Sequence, residues 1–212
     1  MRASLVAGRS LTCGPVETAI LVRHGETELS LRRAVSGDPE GTNPLTEAGR
    51  AQARELGRLL ADEDIDLCVT SAFPRTVETA DIALQGRDVP RVVIPELNDP
   101  RAGSFEGGPL DEYRTWARGA GSGDVPPGGG ESRQELVARY AGGYRKLLER
   151  PEPVILVVGH SLPMAYALGA LEGNGPTPTV PLVDYAVPYR LGAEELATVI
   201  ERLESWVAAP TW

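Results

Sequence analysis

Two short apolar runs, residues 19–22 and 153–158, place the strongest constraint on the fold of this 212-residue chain. Both runs are continuous rather than alternating, which is typical of strands covered on both faces of a parallel sheet. Each run is followed within two residues by a histidine, His24 and His160 respectively. Because open α/β sheets bind ligands at the carboxyl ends of their strands, both histidines are candidates for a functional site.

Amphipathic segments separate the apolar runs, so strands and helices alternate along the chain. Thr46 is a candidate helix cap, Pro74 fits a first helical turn, and Ser132 with Glu135 forms a capping box. We predict further strands over residues 66–71, 91–94 and 183–191, and helices over residues 46–61, 74–84, 110–117, 132–150, 162–171 and 194–207. This order predicts a single three-layer α/β domain over residues 18–209, with a mostly parallel central sheet and helices on both faces.

Three segments are predicted to lack regular structure. Residues 28–44 are rich in turn formers and indicate a surface loop. Residues 118–130 contain six glycines but follow no strand, which favours a mobile flap or a plain loop over a phosphate-binding glycine loop. Residues 1–17 are a poor signal peptide, because charged and small residues break their apolar run, and we expect a loose tail.

The composition excludes several classes of function. A net charge of −9 and a pI of about 4.8 argue against general binding of nucleic acid or anionic membranes. An anionic substrate would therefore be attracted locally, by a few arginines. Cys13 and Cys68 show neither disulfide nor metal-ligand spacing, and Cys68 is predicted to be a small buried apolar residue. We expect a cytoplasmic protein without a metal or other cofactor; assembly as a homodimer stays open.

Reactive side chains follow four of the predicted strands. They are Arg23 and His24 after the first strand, then Arg75, Asp99 and His160 after the next three in chain order. In a parallel sheet these positions lie along one edge, so the groups can converge. Arginine matches phosphate oxygens, a neutral histidine can act as a nucleophile, and a carboxylic acid can protonate a leaving oxygen. The set predicts a phosphoryl-transfer site that needs no metal.

Several short motifs occur in a fixed order along this part of the chain. They are Arg-His-Gly-Glu-Thr at residues 23–27, Asn-Pro-Leu-Thr-Glu-Ala-Gly at 43–49, Gly-His-Ser at 159–161, and the segments 71–75, 97–107 and 127–132. With these motifs the sequence resembles the histidine phosphatase superfamily, in its phosphoglycerate-mutase-like branch, over most of residues 19–165. The resemblance implies that His24 is phosphorylated during turnover and that Arg23, Arg75 and His160 bind the transferring phosphoryl group.

The sequence departs from the family pattern at three places. Asp99 stands where the family usually has a glutamate, so the resemblance implies that Asp99 is the general acid and base. Glu106 is the alternative acid and substrate contact, although a structural role for it is at least as plausible. Ser30 replaces a common asparagine and is a candidate phosphate contact. Ser161 replaces a common glycine, and its backbone N–H is a candidate contact at a helix N-terminus.

The resemblance favours a metal-independent phosphomonoesterase that acts on a small phosphorylated metabolite through a phosphohistidine. A phosphoglycerate-type mutase is the main alternative, disfavoured because such mutases are usually longer. A catalytically silent phosphate-binding module is disfavoured because all five reactive positions are filled. A serine esterase with Ser161 as nucleophile is disfavoured because no histidine follows residue 160.

Substrate specificity is expected to come from the segment after the proposed acid and from the glycine-rich loop. The candidates to contact the leaving group are Arg101, Tyr113, Trp116 and Arg118. For each one taken singly, a surface or packing role is the better-supported interpretation, and the sequence does not identify the substrate.

Overall fold

Five strands form the central sheet of the computed structural model, which describes residues 16–212. In chain order they are β1 (Thr18–Arg23), β2 (Leu67–Thr70), β3 (Arg91–Val93), β4 (Val154–Gly159) and β5 (Pro188–Gly192). Their order across the sheet is β3-β2-β4-β1-β5. Neighbouring strands are parallel except β5, which runs antiparallel to β1. The expected α/β class with a mostly parallel sheet is confirmed.

Helices cover both faces of this sheet. In the described part of the chain they are α1 (Glu28–Leu31), α2 (Glu47–Leu59), α3 (Pro74–Ala83), α4 (Leu110–Gly119), α5 (Arg133–Leu148), α6 (Ser161–Leu171) and α7 (Ala193–Ala208). Ala19 and Leu21 of β1 pack in the core with α5, α6 and α7. Ile20 and Val22 pack in the opposite core with α2 and α3. Both faces of β1 are therefore covered, which explains its continuous apolar run.

The predicted helix starts are confirmed. Thr46 caps α2 by accepting a hydrogen bond from the Gly49 N–H at 3.0 Å. Pro74 occupies the first turn of α3, where its missing N–H costs nothing. Ser132 and Glu135 form the expected capping box at the start of α5. Local sequence therefore sets where these three helices begin. One of them, α3, carries Arg75, which was predicted to lie at the edge of the sheet.

The last predicted strand differs from the structure in its first half. Regular strand structure covers only Pro188–Gly192. Ala186 adopts a left-handed backbone conformation with φ of 54°, and its N–H donates to the Arg23 carbonyl at 2.9 Å. The Val183 carbonyl accepts a hydrogen bond from the Arg23 guanidinium. The segment before β5 therefore wraps the carboxyl end of β1 instead of extending the ladder.

The two loops predicted as irregular are better ordered than expected. Residues 28–44 include the short helix α1, whose capping box joins Thr27 and Ser30. The glycine-rich loop packs against the preceding turn, because Ser104 donates to the Pro127 carbonyl through both its backbone N–H (2.7 Å) and its hydroxyl (2.6 Å). The structure therefore shows a docked loop rather than a free flap.

The amino-terminal expectations are tested only in part. Residues 1–15, and with them Cys13 and most of the expected tail, lie outside the described residues. Val16 is buried in the core, and the Glu17 N–H donates to the Pro153 carbonyl at 2.8 Å, so these two residues belong to the folded part. Cys68 is buried as predicted, and burial raises the pKa of its thiol to about 12. Over residues 16–212 no helix is both long and apolar enough to cross a bilayer.

Candidate active site

His24 lies directly after β1 and is held by its own chain neighbour. Its Nδ1 is 2.7 Å from the Gly25 carbonyl oxygen, which can only accept, so Nδ1 carries the proton and Nε2 keeps a lone pair. The Gly25 N–H donates to Thr79 Oγ1 at 3.0 Å, which fixes this turn against α3. Burial, and next the positive charge of Arg75, hold the pKa of His24 well below its ordinary value. The imidazole is therefore neutral at neutral pH.

Arg75 lies at the centre of the cluster and is 3% exposed. Its Nε donates to His24 Nε2 at 3.2 Å, and its Nη2 donates to Asp99 Oδ2 at 2.8 Å. The same Nη2 is 3.2 Å from His160 Nδ1, and Nη1 donates to Ser36 Oγ at 3.2 Å. One planar guanidinium thus links three of the predicted site residues, in the geometry that suits phosphate oxygens.

His160 caps the N-terminus of α6 and is fully buried. Its Nε2 is 2.8 Å from Ser71 Oγ, and its Nδ1 is 3.2 Å from Asp99 Oδ2. The Phe73 ring packs edge-on against it with ring centroids 4.7 Å apart. Burial lowers the pKa of His160, although the neighbouring carboxylate opposes this shift. Both ring nitrogens therefore have fixed partners, which sets the orientation of the imidazole.

Asp99 projects into the cluster from the loop that follows the 3₁₀ turn Pro95–Leu97. Its side chain remains 24% exposed, so it is accessible from the pocket. Burial alone would raise the pKa of Asp99. The contacts with His160 and then Arg75 outweigh burial and hold that pKa below its usual range. Arg139 donates to the Asn98 carbonyl at 3.0 Å and thereby positions the loop. Asp99 is consequently ionised at neutral pH.

Arg23 presents the second guanidinium. Its Cζ lies 3.7 Å above the centre of the Tyr185 ring, and its Nη1 donates to the Val183 carbonyl at 2.7 Å. Its Nε has no hydrogen-bond partner among the described residues. The sequence did not indicate Tyr185, because the contact depends on the turn that replaces the first half of the predicted last strand.

Four of the five predicted catalytic residues, Arg23, His24, Arg75 and Asp99, line one pocket of about 290 Å³. His160 does not line it, but its Nδ1 lies 3.2 Å from Arg75 Nη2. Ser30 and Ser161 also line it. The Ser30 hydroxyl accepts from the Thr27 N–H and donates to the Thr27 carbonyl. It can therefore take the place of the family's asparagine as a phosphate donor only if this turn rearranges.

Glu106 does not join this pocket. Both of its carboxylate oxygens accept from the Gly37 N–H, at 3.0 and 2.8 Å, and Glu106 is not among the residues that line the cavity. This position favours the structural role that the sequence analysis left open for Glu106, since the carboxylate fixes the loop that carries Ser36; a contact with substrate stays a prediction. Asp99 remains the carboxyl group at the centre of the cluster.

The four candidates for specificity separate in space. Tyr113 lines the pocket and is buried. Arg101 pairs with Glu131 at the surface, and Arg118 donates to Thr115, so neither reaches the cavity wall. Trp116 stacks on Tyr113 from outside. The wall also contains Arg133, which the sequence analysis missed.

Three potential metal ligands are close together at this site. One ligand atom each from His24, Asp99 and His160 lies within 4.8 Å of the others. The Arg75 guanidinium already donates to two of these atoms and lies 3.2 Å from the third. A divalent cation would have to displace this fixed positive charge, whereas a phosphate would complement it. The cluster therefore fits an anion better than a metal ion.

Ser161 is poorly placed for the esterase alternative. Its Oγ accepts from the Val183 N–H at 2.8 Å, and the adjacent His160 uses Nε2 for Ser71. No hydrogen bond links Ser161 to a histidine within the part of the chain that the structure covers, so Ser161 has no base to activate it.

An α/β sheet with two histidines and two buried arginines at its carboxyl edge defines an enzyme that handles phosphate groups. The comparison with known families agrees: residues 19–205 match the model of the histidine phosphatase superfamily (branch 1). The chain belongs to this family, and the resemblance seen in the sequence is confirmed.

Individual relatives point to two activities. A 2,3-bisphosphoglycerate-dependent phosphoglycerate mutase of Methylobacterium sp. (strain 4-46) is 35% identical over 208 residues, covering 87% of this chain and 95% of that protein. An adenosylcobalamin/alpha-ribazole phosphatase of Salmonella typhimurium is 43% identical over 86 residues, which cover 41% of this chain and 42% of that protein. The crystal structure of a putative alpha-ribazole-5′-P phosphatase from Escherichia coli has a TM-score of 0.71 and 28% identity, covering 82% of this chain and 89% of that one.

Proposed function

We propose that the protein hydrolyses a small phosphate monoester through a phosphohistidine at His24. One observation carries the proposal: the Gly25 carbonyl binds Nδ1 of His24 and leaves Nε2 unprotonated, 3.2 Å from Arg75 Nε. A neutral nitrogen next to a guanidinium suits attack on phosphorus, because the cation compensates the phosphate charge without protonating the nucleophile. A cytoplasmic location and a small phosphorylated metabolite as substrate are part of the same proposal.

In the first step, Nε2 of His24 forms a bond to phosphorus while the bond between phosphorus and the leaving oxygen breaks. Arg23 and Arg75, which line the pocket, hold the phosphoryl oxygens, and His160 joins them once its Nδ1 exchanges Asp99 for a phosphoryl oxygen. Phosphate binding exchanges the Arg75–Asp99 contact for contacts to phosphate, and the dianion raises the proton affinity of the carboxylate. Asp99 therefore takes up a proton from solvent as the substrate binds and gives it to the leaving oxygen as the bond to phosphorus breaks.

In the second step, water attacks the phosphohistidine and restores the free enzyme. Asp99 accepts a proton from the water as the new oxygen–phosphorus bond forms and the nitrogen–phosphorus bond breaks. Its 24% exposure supports this role, because water must reach the carboxylate from the pocket. Inorganic phosphate leaves, and His24 returns to its neutral form.

Phosphoglycerate mutase activity is the second candidate, because a mutase is 35% identical to this chain over 208 residues. The alignment with the Methylobacterium mutase covers 95% of that protein, so the compactness of this chain does not separate the two activities. In a mutase, the phosphoryl group on His24 would return to a bound product instead of passing to water.

A substrate panel in the presence and absence of a chelator tests the proposal. The panel contains p-nitrophenyl phosphate, sugar phosphates, phosphoglycerates and nucleotides, and the readout is released phosphate. We expect release from at least one ester, without added 2,3-bisphosphoglycerate and without loss in the chelator. Interconversion of phosphoglycerates that requires 2,3-bisphosphoglycerate, with negligible phosphate release, would instead assign the mutase activity. Absence of both activities, together with tight binding of a protein partner, would assign the silent module.

A further inference from the structure

Besides Arg23 and Arg75, a buried arginine that has no role in the steps above lines the same pocket. It is Arg133, the first residue of α5. Within residues 16–212, no hydrogen bond or ion pair joins Arg133 to His24 or Arg75. A cation in the first turn of a helix opposes the helix dipole, so helix stability does not explain its presence.

The Arg133 guanidinium is buried without a charge partner. The residue is 9% exposed; its Nη2 donates to the Pro178 carbonyl at 3.3 Å, and its side chain also interacts with the uncharged Tyr113. Its Nε and Nη1 have no partner in the described structure, and no carboxylate of residues 16–212 forms an ion pair with it. Since guanidinium has five N–H donors and a buried cation is costly unless paired, the group is equipped to receive an anion.

Two neighbouring side chains complete the pocket wall around Arg133. Tyr113 packs beside it, with the guanidinium carbon 5.4 Å from the ring centre. Arg114 lines the pocket too, and it donates to the Val180 carbonyl at 3.0 Å. Among residues 16–212, five arginines but one carboxylate line the cavity, in a chain whose net charge is −9. The phosphoryl group accounts for Arg23 and Arg75, and Arg33 is paired with Asp111, which leaves Arg133 and Arg114 uncompensated.

We propose that Arg133, with Arg114 beside it, binds a second anionic group on the leaving-group part of the substrate. The inference rests on the proposed phosphatase function, and it narrows the substrate to phosphate monoesters that carry a carboxylate or a second phosphate. Arg75 and Arg133 line the same pocket of about 290 Å³, which is the size of a site for a small molecule that contacts both.

Matched ligand pairs test this second anion site. The first pair is 3-phosphoglycerate and glycerol 3-phosphate, which differ by a carboxylate; the second is glucose 1,6-bisphosphate and glucose 6-phosphate, which differ by a phosphate. Calorimetric titrations in a His24→Ala background give dissociation constants without turnover. We expect the doubly anionic member of at least one pair to bind more tightly, and the pair that shows the difference identifies the anion.

The variant Arg133→Met should reduce that discrimination between pair members by about 10- to 100-fold. Arg133→Lys keeps the charge but loses the planar donor array, so it should cause a smaller loss. Arg118→Met removes an arginine outside the pocket and serves as the charge control. Thermal melting checks that each variant folds, and Arg133→Lys carries the test if Arg133→Met does not fold.

If Arg133→Met lowers the affinity for both members of each pair equally, Arg133 only supports the 178–180 loop and the proposal is overturned. If the His24→Ala protein with Arg133 and Arg114 unchanged binds both members of each pair equally well, the proposal is overturned too. Because these titrations need no catalysis, a protein that binds as expected but releases no phosphate would refute the phosphatase function and leave the second anion site supported.

Discussion

Nδ1 of His24 lies 2.7 Å from the carbonyl oxygen of Gly25, so the tautomer of the proposed nucleophile is set by the backbone of the adjacent residue. The same glycine donates its N–H to Thr79 on α3. The turn at the end of β1 thus fixes both the ring and the helix that carries Arg75. The proposed nucleophile and the proposed phosphate-binding arginine are therefore positioned by a shared set of hydrogen bonds.

The two histidines should titrate below the ordinary histidine pKa of about 6.5. Burial lowers both pKa values, and the charge of Arg75 lowers that of His24 further. The chain contains only these two histidines, so their Cε1–H signals in an NMR pH titration are easily followed. We expect both midpoints below about 6.5, with His24 the lower of the two. A midpoint for His24 at or above this value would contradict the neutral nucleophile.

The lowered pKa values also predict the pH dependence of stability. Below about pH 6.5 the histidines of the unfolded chain bind protons that the folded histidines do not take up. The free energy of unfolding therefore decreases as the pH is lowered, until the folded pKa is reached. Above the unfolded pKa this contribution is constant. Urea unfolding of His24→Gln should show a shallower decline than the wild type between about pH 7 and pH 5, because one such group has been removed.

Asp99→Asn should separate good from poor leaving groups. An alkoxide needs a proton as it leaves, whereas p-nitrophenolate needs little, so the loss on alkyl phosphates should be larger by about 10²- to 10⁴-fold. Steady-state kcat values with both substrate types provide the measurement. Asp81→Asn, which alters an exposed carboxylate paired with Arg91, is the control. Equal losses on both substrates would argue against Asp99 as the acid.

Arg75→Lys should lower kcat/KM by roughly 10²- to 10³-fold. A single ammonium group cannot contact His24, Asp99 and Ser36 together, as the guanidinium does. The matched control is Arg54→Lys on the exposed face of α2. Activity of Arg75→Lys near that of the wild type would contradict the central position of this residue.

Gly103→Ala tests whether the glycine-rich loop is held against the turn at residues 103–105. Gly103 has φ of 58°, and an added Cβ would lie 2.1 Å from the Gly129 carbonyl oxygen and 2.3 Å from that of Pro127. The loop must shift, and urea unfolding should show a loss of about 1–3 kcal/mol. Gly119→Ala, where nothing lies within 4 Å of the added carbon, should have little effect. Equal stability of the two variants would show that the loop is not held in this way.

Much of the site was predictable because its signals are local. β1 ends at Arg23 and β4 at Gly159, each one residue before a histidine, which places His24 and His160 at the same edge of a parallel sheet. The capping signals of Thr46 and Ser132 depend on neighbouring residues alone, and they placed the helices correctly.

The missed features depend on contacts between distant segments. Tyr185 meets Arg23 only because the chain turns at Ala186, which no local pattern indicated. Arg133 is buried by the packing of α4 and the 178–180 loop around the start of α5. The one local signal was its positive charge in a first helical turn, which is unfavourable for a helix and needs another explanation.

The most direct test is to locate the phosphate on the trapped enzyme. The protein is mixed with a substrate, quenched in alkali to preserve phosphohistidine, digested, and analysed by mass spectrometry. The account predicts phosphate on the peptide that contains His24, and a His24→Ala protein that folds, carries no label and has no turnover. Phosphate on another residue, or near-normal turnover by His24→Ala, would contradict it.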